Sequence, residues 1–261
     1  MNFLEFNLKT LVEMRGVALD VIDEGLIEHT PETLSILRSI VPEHRQSELD
    51  FIEERLTRSS KNRPRLHAEI LASVYAVLKL ANASRILDVG SGEGMLIRAL
   101  ASSSDFEKIV GVDQDSTYEE SARALIGAVS PHALSKVVLT SNSDYKELIN
   151  DYSIDAVVLV EIIEHIIDKN WIHQFFRLQP DLIIVTTPNY SYNVLTPPHT
   201  LESNGLRNKD HKFEFTTQEF IQWAHNIGDS FKYTVDLLPI GPADIEHGSS
   251  GLMAVFQRDN R

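Results

Sequence analysis

The chain contains no cysteine. It can therefore form neither a disulfide nor a thiolate metal site, which agrees with a reducing, cytoplasmic setting. Long apolar runs are missing too, and none approaches the roughly 20 residues that a membrane-spanning helix needs. The first stretch, MNFLEFNLKTLVEMRG, places acids inside its apolar part and offers no small-residue cleavage site, so neither a secretory signal nor a membrane partner is expected. Positive charge is in deficit: 24 Lys and Arg face 38 Asp and Glu, a formal net charge of −14. That balance argues against a surface that grips nucleic acid nonspecifically all over, while leaving room for a local basic patch. Internal repeats and low-complexity segments are also lacking. What remains, 261 residues of which 43% are hydrophobic and 24% charged, suits one sizeable globular core with an appendage.

The appendage is residues 1–60. Leu8, Leu11, Val12, Val17, Val21 and Ile22 recur at helical intervals, and Thr30-Pro31-Glu32 has the form of a helix start. A helical N-terminal extension is expected, packed on the main domain or on a protein partner. Next comes RLTRSSKNRPR, with five basic residues and no acid, an island that suits phosphates and contains Arg58, Lys61, Arg63 and Arg65. From residue 61 to 261 a single α/β domain is expected. A helix should run from Leu66 to Leu80, followed by strands at Ile86–Val89, Ile109–Asp113, Val137–Leu139, Ala156–Val160 and Leu182–Thr186, with Tyr233–Leu238 and Leu252–Phe256 near the end. Short apolar strands alternating with helices predict a parallel sheet covered on both faces and closed by a C-terminal hairpin.

Two stretches of this domain carry chemistry. After the apolar run Ala156-Val157-Val158-Leu159 comes Val160-Glu161-Ile162-Ile163-Glu164-His165. On a helix begun at the strand's end, Glu161, Glu164 and His165 would share one face. Two such carboxylates repel unless a cation sits between them, and a hard divalent ion that accepts a nitrogen ligand fits. The same spacing also suits an ordinary solvated helix face. The second stretch is the turn Asp88-Val89-Gly90-Ser91-Gly92-Glu93-Gly94, with Asp113 ending the next strand where it can accept both hydroxyls of a ribose. No third glycine stands at the pyrophosphate spacing, and Asp88 and Glu93 suit a cationic aminoacyl group better than a diphosphate. The pattern ILDVGSGEG with a later GVDQD resembles the S-adenosylmethionine site of the Rossmann-like class I methyltransferases. That resemblance implies that Asp88, Gly90, Ser91 and Gly92 face the methionine end, Asp113 the ribose, and Asn142 and Ser143 the adenine.

EIIEHI, TTPNYSYN, LRNKDHKFEFTTQEFIQWA and LPIGPADIEHGSSGLMAVF together resemble the small-RNA 3′-terminal 2′-O-methyltransferases, the HUA ENHANCER family, over about Glu53 to Arg258. The resemblance implies that Glu161, Glu164, His165 and His211 bind Mg²⁺ or Mn²⁺ beside the 2′ and 3′ hydroxyls of the last nucleotide, the acceptor being a small RNA with a free 3′ end. It also suggests His165 as a general base, and Arg207 and Lys212 as phosphate contacts beside the basic island. Departures from the family pattern are Glu69-Ile70 in place of Gln-Arg, Ser191 in place of Glu, Phe215 in place of Trp, and Thr217 in place of Arg. Two other readings stay open: a metal-dependent O-methyltransferase acting on a small-molecule diol or catechol, and an inactive methyltransferase fold serving as an RNA-binding subunit.

Overall fold

In this computed structural model the described residues are 66–115 and 131–259, with Met14, Val17, Tyr118, Glu119, Ala122 and Arg123. The helices expected over residues 1–60 lie otherwise outside the described residues, as do Arg58, Lys61, Arg63 and Arg65. Met14 and Val17 are helical, and Met14 is fully buried in the core described below.

Helix α1 (Leu66–Leu80) leads into β1 (Arg85–Val89), α2 (Met95–Ser102) and β2 (Lys108–Val112). Then come α3 (Pro131–Ser135), β3 (Val137–Thr140), α4 (Tyr145–Asp151) and β4 (Ala156–Val160). The remainder comprises α5 (His173–Arg177), β5 (Leu182–Pro188), α6 (Thr217–Phe231), β6 (Tyr233–Asp244) and β7 (Gly248–Arg258). The strands form one sheet in the order β3-β2-β1-β4-β5-β7-β6, parallel from β3 to β5, with β7 antiparallel to both of its neighbours. The doubly wound sheet and terminal hairpin expected from the sequence are both present. The hairpin strands run several residues beyond their apolar centres.

The continuous apolar runs of the central strands follow from burial on both faces. Ile86, Ala156, Val158, Leu182 and Ile184 point into one core with α1 and α2. Leu87, Val89, Val157, Leu159, Ile183 and Val185 point into the other, with Phe175, Phe176, Phe220 and Phe256. Helix α6 is fixed at its start by a capping box, Thr216 and Glu219 exchanging side-chain and backbone hydrogen bonds. Among the described residues no helix is long and apolar enough to cross a membrane.

The strand order reverses between β1 and β4, so the turns leaving these two strands sit side by side, where ligands of open α/β sheets bind. Val89 pairs with Leu159, which sets the glycine turn against the Glu161–His165 segment. Gly90 has φ 75°, and a Cβ built there would lie 2.1 Å from Ile162 Cδ1. Gly90→Ala therefore adds left-handed strain to a steric overlap, together about 2–4 kcal/mol. The expected result is a lower melting temperature and impaired ligand binding at both turns, measured by thermal unfolding and by S-adenosylmethionine titration.

Candidate functional site

The helix expected to carry Glu161, Glu164 and His165 on one face is not formed. A single 3₁₀ turn spans Ile163–His165, and Glu161 precedes it in a left-handed conformation, φ 55°. Hydrogen bonds made elsewhere explain the difference. Glu161 N–H continues the β4–β5 ladder, donating to Thr186 O at 3.3 Å and Thr186 Oγ1 at 3.1 Å. The carbonyl of Glu164, which a helix would use for its next turn, accepts from Lys212 N–H at 2.7 Å. That bond brings the 207–216 segment onto the end of β4. The bridge between Asn189 and Phe215, with Tyr190 N–H donating to Phe215 O at 2.8 Å, holds the same segment against β5.

His211 is thereby returned to His165, the two rings lying 4.7 Å apart and nearly perpendicular. Glu164, His165 and His211 each offer a ligand atom, all within 4.8 Å of one another. Glu161 lies outside this trio, its Oε1 accepting from Thr186 Oγ1 at 3.1 Å. Glu164 is fully buried. Its Oε2 accepts from Thr187 Oγ1 at 3.1 Å, whereas its Oε1 is buried with no hydrogen-bond partner among the described residues. An unpaired buried acceptor costs about 1–3 kcal/mol, more if charged, so the site is built for something that would meet that oxygen. Burial, and then the nearby Glu161, hold the Glu164 carboxyl well above the usual carboxylate range. Burial pushes Glu161 up to about 7. Burial, reinforced by His211, lowers the His165 pKa and favours a neutral imidazole. Two acids that resist ionising beside two imidazoles fit a divalent cation.

The imidazole of His211 is aimed by a residue the sequence reading passed over. Its Nδ1 lies 2.7 Å from Glu214 Oε1, leaving Nε2 to face the trio. Glu214 also accepts from Arg207 N–H and from Asn193 Nδ2, each at 2.7 Å. Burial opposes ionisation of Glu214, yet these hydrogen bonds, led by that from His211, hold its carboxyl below the usual range. An acid three residues after a candidate ligand histidine was the available signal.

A cavity of about 850 Å³ is lined by Asp88, Gly90, Ser91, Gly92, Glu93 and Asp113, and also by Ile162 and His165. The glycine turn and His165 of the trio thus line one space. Asp88 is buried, which together with the nearby Asp113 pushes its carboxyl up to about 7, so a cationic group placed beside it would be favoured in the ionised state. Asp113 is held by Gly92 N–H and Asp115 N–H, both at 2.9 Å. Asn142 and Ser143 lie elsewhere, in a separate depression with Tyr145, Lys146 and Arg177. There the Asn142 amide donates to Glu147 and its oxygen accepts from Asp144 N–H, shaping the entry to α4. Thr140 and Ser141, directly after β3, stand near Asp113 and Tyr118 instead.

The departures from the family pattern also have places in the structure. Ser191 Oγ accepts from Thr217 N–H at 3.2 Å, so two of them form one contact. Phe215 packs on Phe213, Phe220 and Trp223. Glu69 is buried on α1, and its Oε1 accepts from Gly241 N–H at 3.2 Å.

A family model described as mycolic acid cyclopropane synthetase matches residues 67–186. Among curated proteins the chain is similar to a small RNA 2′-O-methyltransferase of Tetrahymena thermophila, 32% identical over 216 residues, covering 72% of this chain and 49% of that protein. It is likewise similar to a small RNA 2′-O-methyltransferase of Arabidopsis thaliana, 28% identical over 204 residues, covering 70% of this chain and 21% of that protein. The chain thus spans about half or less of the length of these relatives. Among solved structures, the methyltransferase domain of bacterial CtHen1 is 31% identical with a TM-score of 0.60, covering 74% of this chain and all of that one. With the parallel sheet, the glycine turn and the Glu-His-His cluster in place, this chain belongs to the Hen1-type small RNA methyltransferase family and has the Rossmann-like fold of the class I S-adenosylmethionine-dependent methyltransferases.

Proposed function

We propose that this protein transfers a methyl group from S-adenosylmethionine to the 2′-hydroxyl of the 3′-terminal nucleotide of a small RNA, with Mg²⁺ or Mn²⁺ held by Glu161, Glu164, His165 and His211. The observation that carries the reading is the meeting of Glu164, His165 and His211, with His165 also lining the cavity that contains Asp88 and Asp113. The unmatched Glu164 Oε1 supports a cation there. In this reading residues 1–60 are an N-terminal extension that meets the main core through Met14 and could also serve a protein partner, and the enzyme works in the cytoplasm.

When bound, S-adenosylmethionine supplies an electrophilic methyl group and the divalent cation supplies Lewis acidity. Asp88 would hold the aminoacyl ammonium, and Asp113 would accept from the ribose hydroxyls. His165 belongs both to the ligand trio and to the cavity wall, so an acceptor held at the trio is presented to the methyl donor. Its imidazole, favoured in the neutral form, has a single lone pair, which this reading gives to the cation, so the proton lost by the 2′-oxygen as the carbon–oxygen bond forms and the carbon–sulfur bond breaks would pass to water. A requirement for adjacent 2′ and 3′ hydroxyls restricts the acceptor to RNA with an unblocked 3′ end.

Glu164→Ala should abolish methyl transfer and the Mn²⁺-dependent rise in melting temperature while S-adenosylmethionine still binds; normal turnover by this variant would sink the metal assignment. Short RNAs ending in a free diol should be methylated, whereas 2′-deoxy, 3′-phosphate and periodate-treated ends should not. Efficient turnover of a catechol without RNA would favour the small-molecule alternative, and no transfer to any acceptor despite bound cofactor the inactive one.

The Asp88 carboxyl gives a pH dependence. Its folded pKa of about 7 lies above the ordinary value of 3.8, so its contribution to the stability of the ligand-free protein is complete below pH 3.8 and is lost as pH rises through about 7. Cofactor binding runs the other way, because the cation needs the carboxylate. Affinity for S-adenosylmethionine should rise from roughly pH 6 to pH 8 in the wild type. Asp88→Asn should bind more weakly with a flat profile, yet melt higher than wild type at alkaline pH in the absence of cofactor. Calorimetric titration and thermal unfolding at both ends of the range check the two signs.

A further inference from the structure

Arg207 reads from sequence as a phosphate contact, but its hydrogen bonds point inward. Nε donates to Asn193 Oδ1 at 2.7 Å, and Nη2 donates to the backbone oxygen of Asn189 at 3.0 Å. Asn193, itself buried, donates from Nδ2 to Glu214 Oε2 at 2.7 Å and to Gly205 O at 3.1 Å. Glu214 closes the chain through Oε1, which takes Arg207 N–H and meets His211 Nδ1, each at 2.7 Å. Four side chains from two loops are thus joined in one direction.

The direction is forced. A guanidinium nitrogen can only donate, so Asn193 must present its oxygen to Arg207 and its amino group to Glu214. The reversed amide would set two donors against each other at one end and two acceptors at the other. Glu214, an acceptor at both oxygens, then requires a proton on His211 Nδ1, which leaves the Nε2 lone pair free for the cluster with Glu164 and His165.

We propose that Arg207 is a positioning residue that fixes the tautomer and ring orientation of His211 through Asn193 and Glu214, and does not bind an RNA phosphate. The proposal deepens the functional reading above and rests on it in one respect: it takes His211 Nε2 as a ligand of the divalent cation. The tautomer itself can be read without any metal.

The test compares the full-length wild type with Arg207→Ala, Arg207→Lys and Glu214→Gln. In metal-free protein, long-range proton–nitrogen correlation spectra should show His211 in the Nδ1–H form in the wild type, with that form lost or mixed in Arg207→Ala and Glu214→Gln. Mn²⁺ affinity, titrated by electron paramagnetic resonance, should fall about 10- to 100-fold in Glu214→Gln and Arg207→Ala, with partial recovery in Arg207→Lys. S-adenosylmethionine affinity, which reports on the glycine-turn side, should not change and serves as the folding control. If a variant fails that control, Glu214→Gln, the near-isosteric change, is read alone. An unchanged His211 tautomer in Arg207→Ala overturns the proposal. So does unchanged Mn²⁺ affinity together with weaker RNA binding whose salt slope drops by about one, the mark of a lost phosphate contact. A wild type that shows the fixed tautomer but binds no Mn²⁺ defeats the metal reading and leaves the positioning role standing.

Discussion

A carboxylate taken out of water must find hydrogen-bond donors, a proton or a cation, and the described residues give Glu164 less than it needs. It is fully buried, one oxygen accepts from the Thr187 hydroxyl, and the other has no hydrogen-bond partner among the described residues. The neighbouring Glu161 makes ionisation harder still. Around this deficit the rest of the region is arranged. Thr186 and Thr187 on β5 orient the two acids. The Lys212 amide holds the Glu164 backbone, and His165 and His211 stand as neutral-capable donors of lone pairs. Such an arrangement is unfavourable alone, and under the proposed function a divalent ion would offset that cost and couple its binding to local order.

The topology explains how acids and imidazoles so distant in sequence come together. The turns after β1 and β4 are adjacent because the sheet changes direction there. β5 lies next in line and carries Thr186 and Thr187, and the loop after it binds the 207–216 segment through Asn189 and Phe215. Ile162 occupies the space that a side chain at residue 90 would fill. The glycine turn and the Glu161–His165 turn are therefore in van der Waals contact, and the cavity wall runs from one to the other through His165.

Most of this was legible in the chain where the pattern was local. Apolar strands buried on both faces, such as Ala156–Val160, announce themselves by unbroken hydrophobicity, and the glycine turn by its residues and its distance from Asp113. The helical face drawn through Glu161, Glu164 and His165 was not formed, because the carbonyl that a helix needs is taken by Lys212 and the Glu161 amide stays with β5. No local propensity encodes bonds to partners so far along the chain. Asn142 and Ser143 were set at the cofactor by resemblance; the Asn142 side chain bonds Glu147 and Asp144 at the start of α4, and Thr140 and Ser141 line a depression with Asp113. The supporting shell of Glu214, Asn193 and Asn189 was invisible for the same reason: ordinary polar residues acquire meaning only once their partners are known.

The position of β7 has a bearing on how the molecule assembles. It lies between β5 and β6, although β6 precedes it in the chain. Asn189, which anchors the loop behind the ligand cluster, is held by the backbone oxygens of His247, Ser249 and Ser250, at the start of β7 or just before it. Until that strand docks, β5 has an open edge and Asn189 lacks these partners. These contacts join residues far apart in sequence, whose closure is entropically slow. The backing of the Glu164, His165 and His211 cluster therefore reaches its observed hydrogen bonding only with β7 in place, whereas the β1–β2 pair joins residues much nearer in sequence.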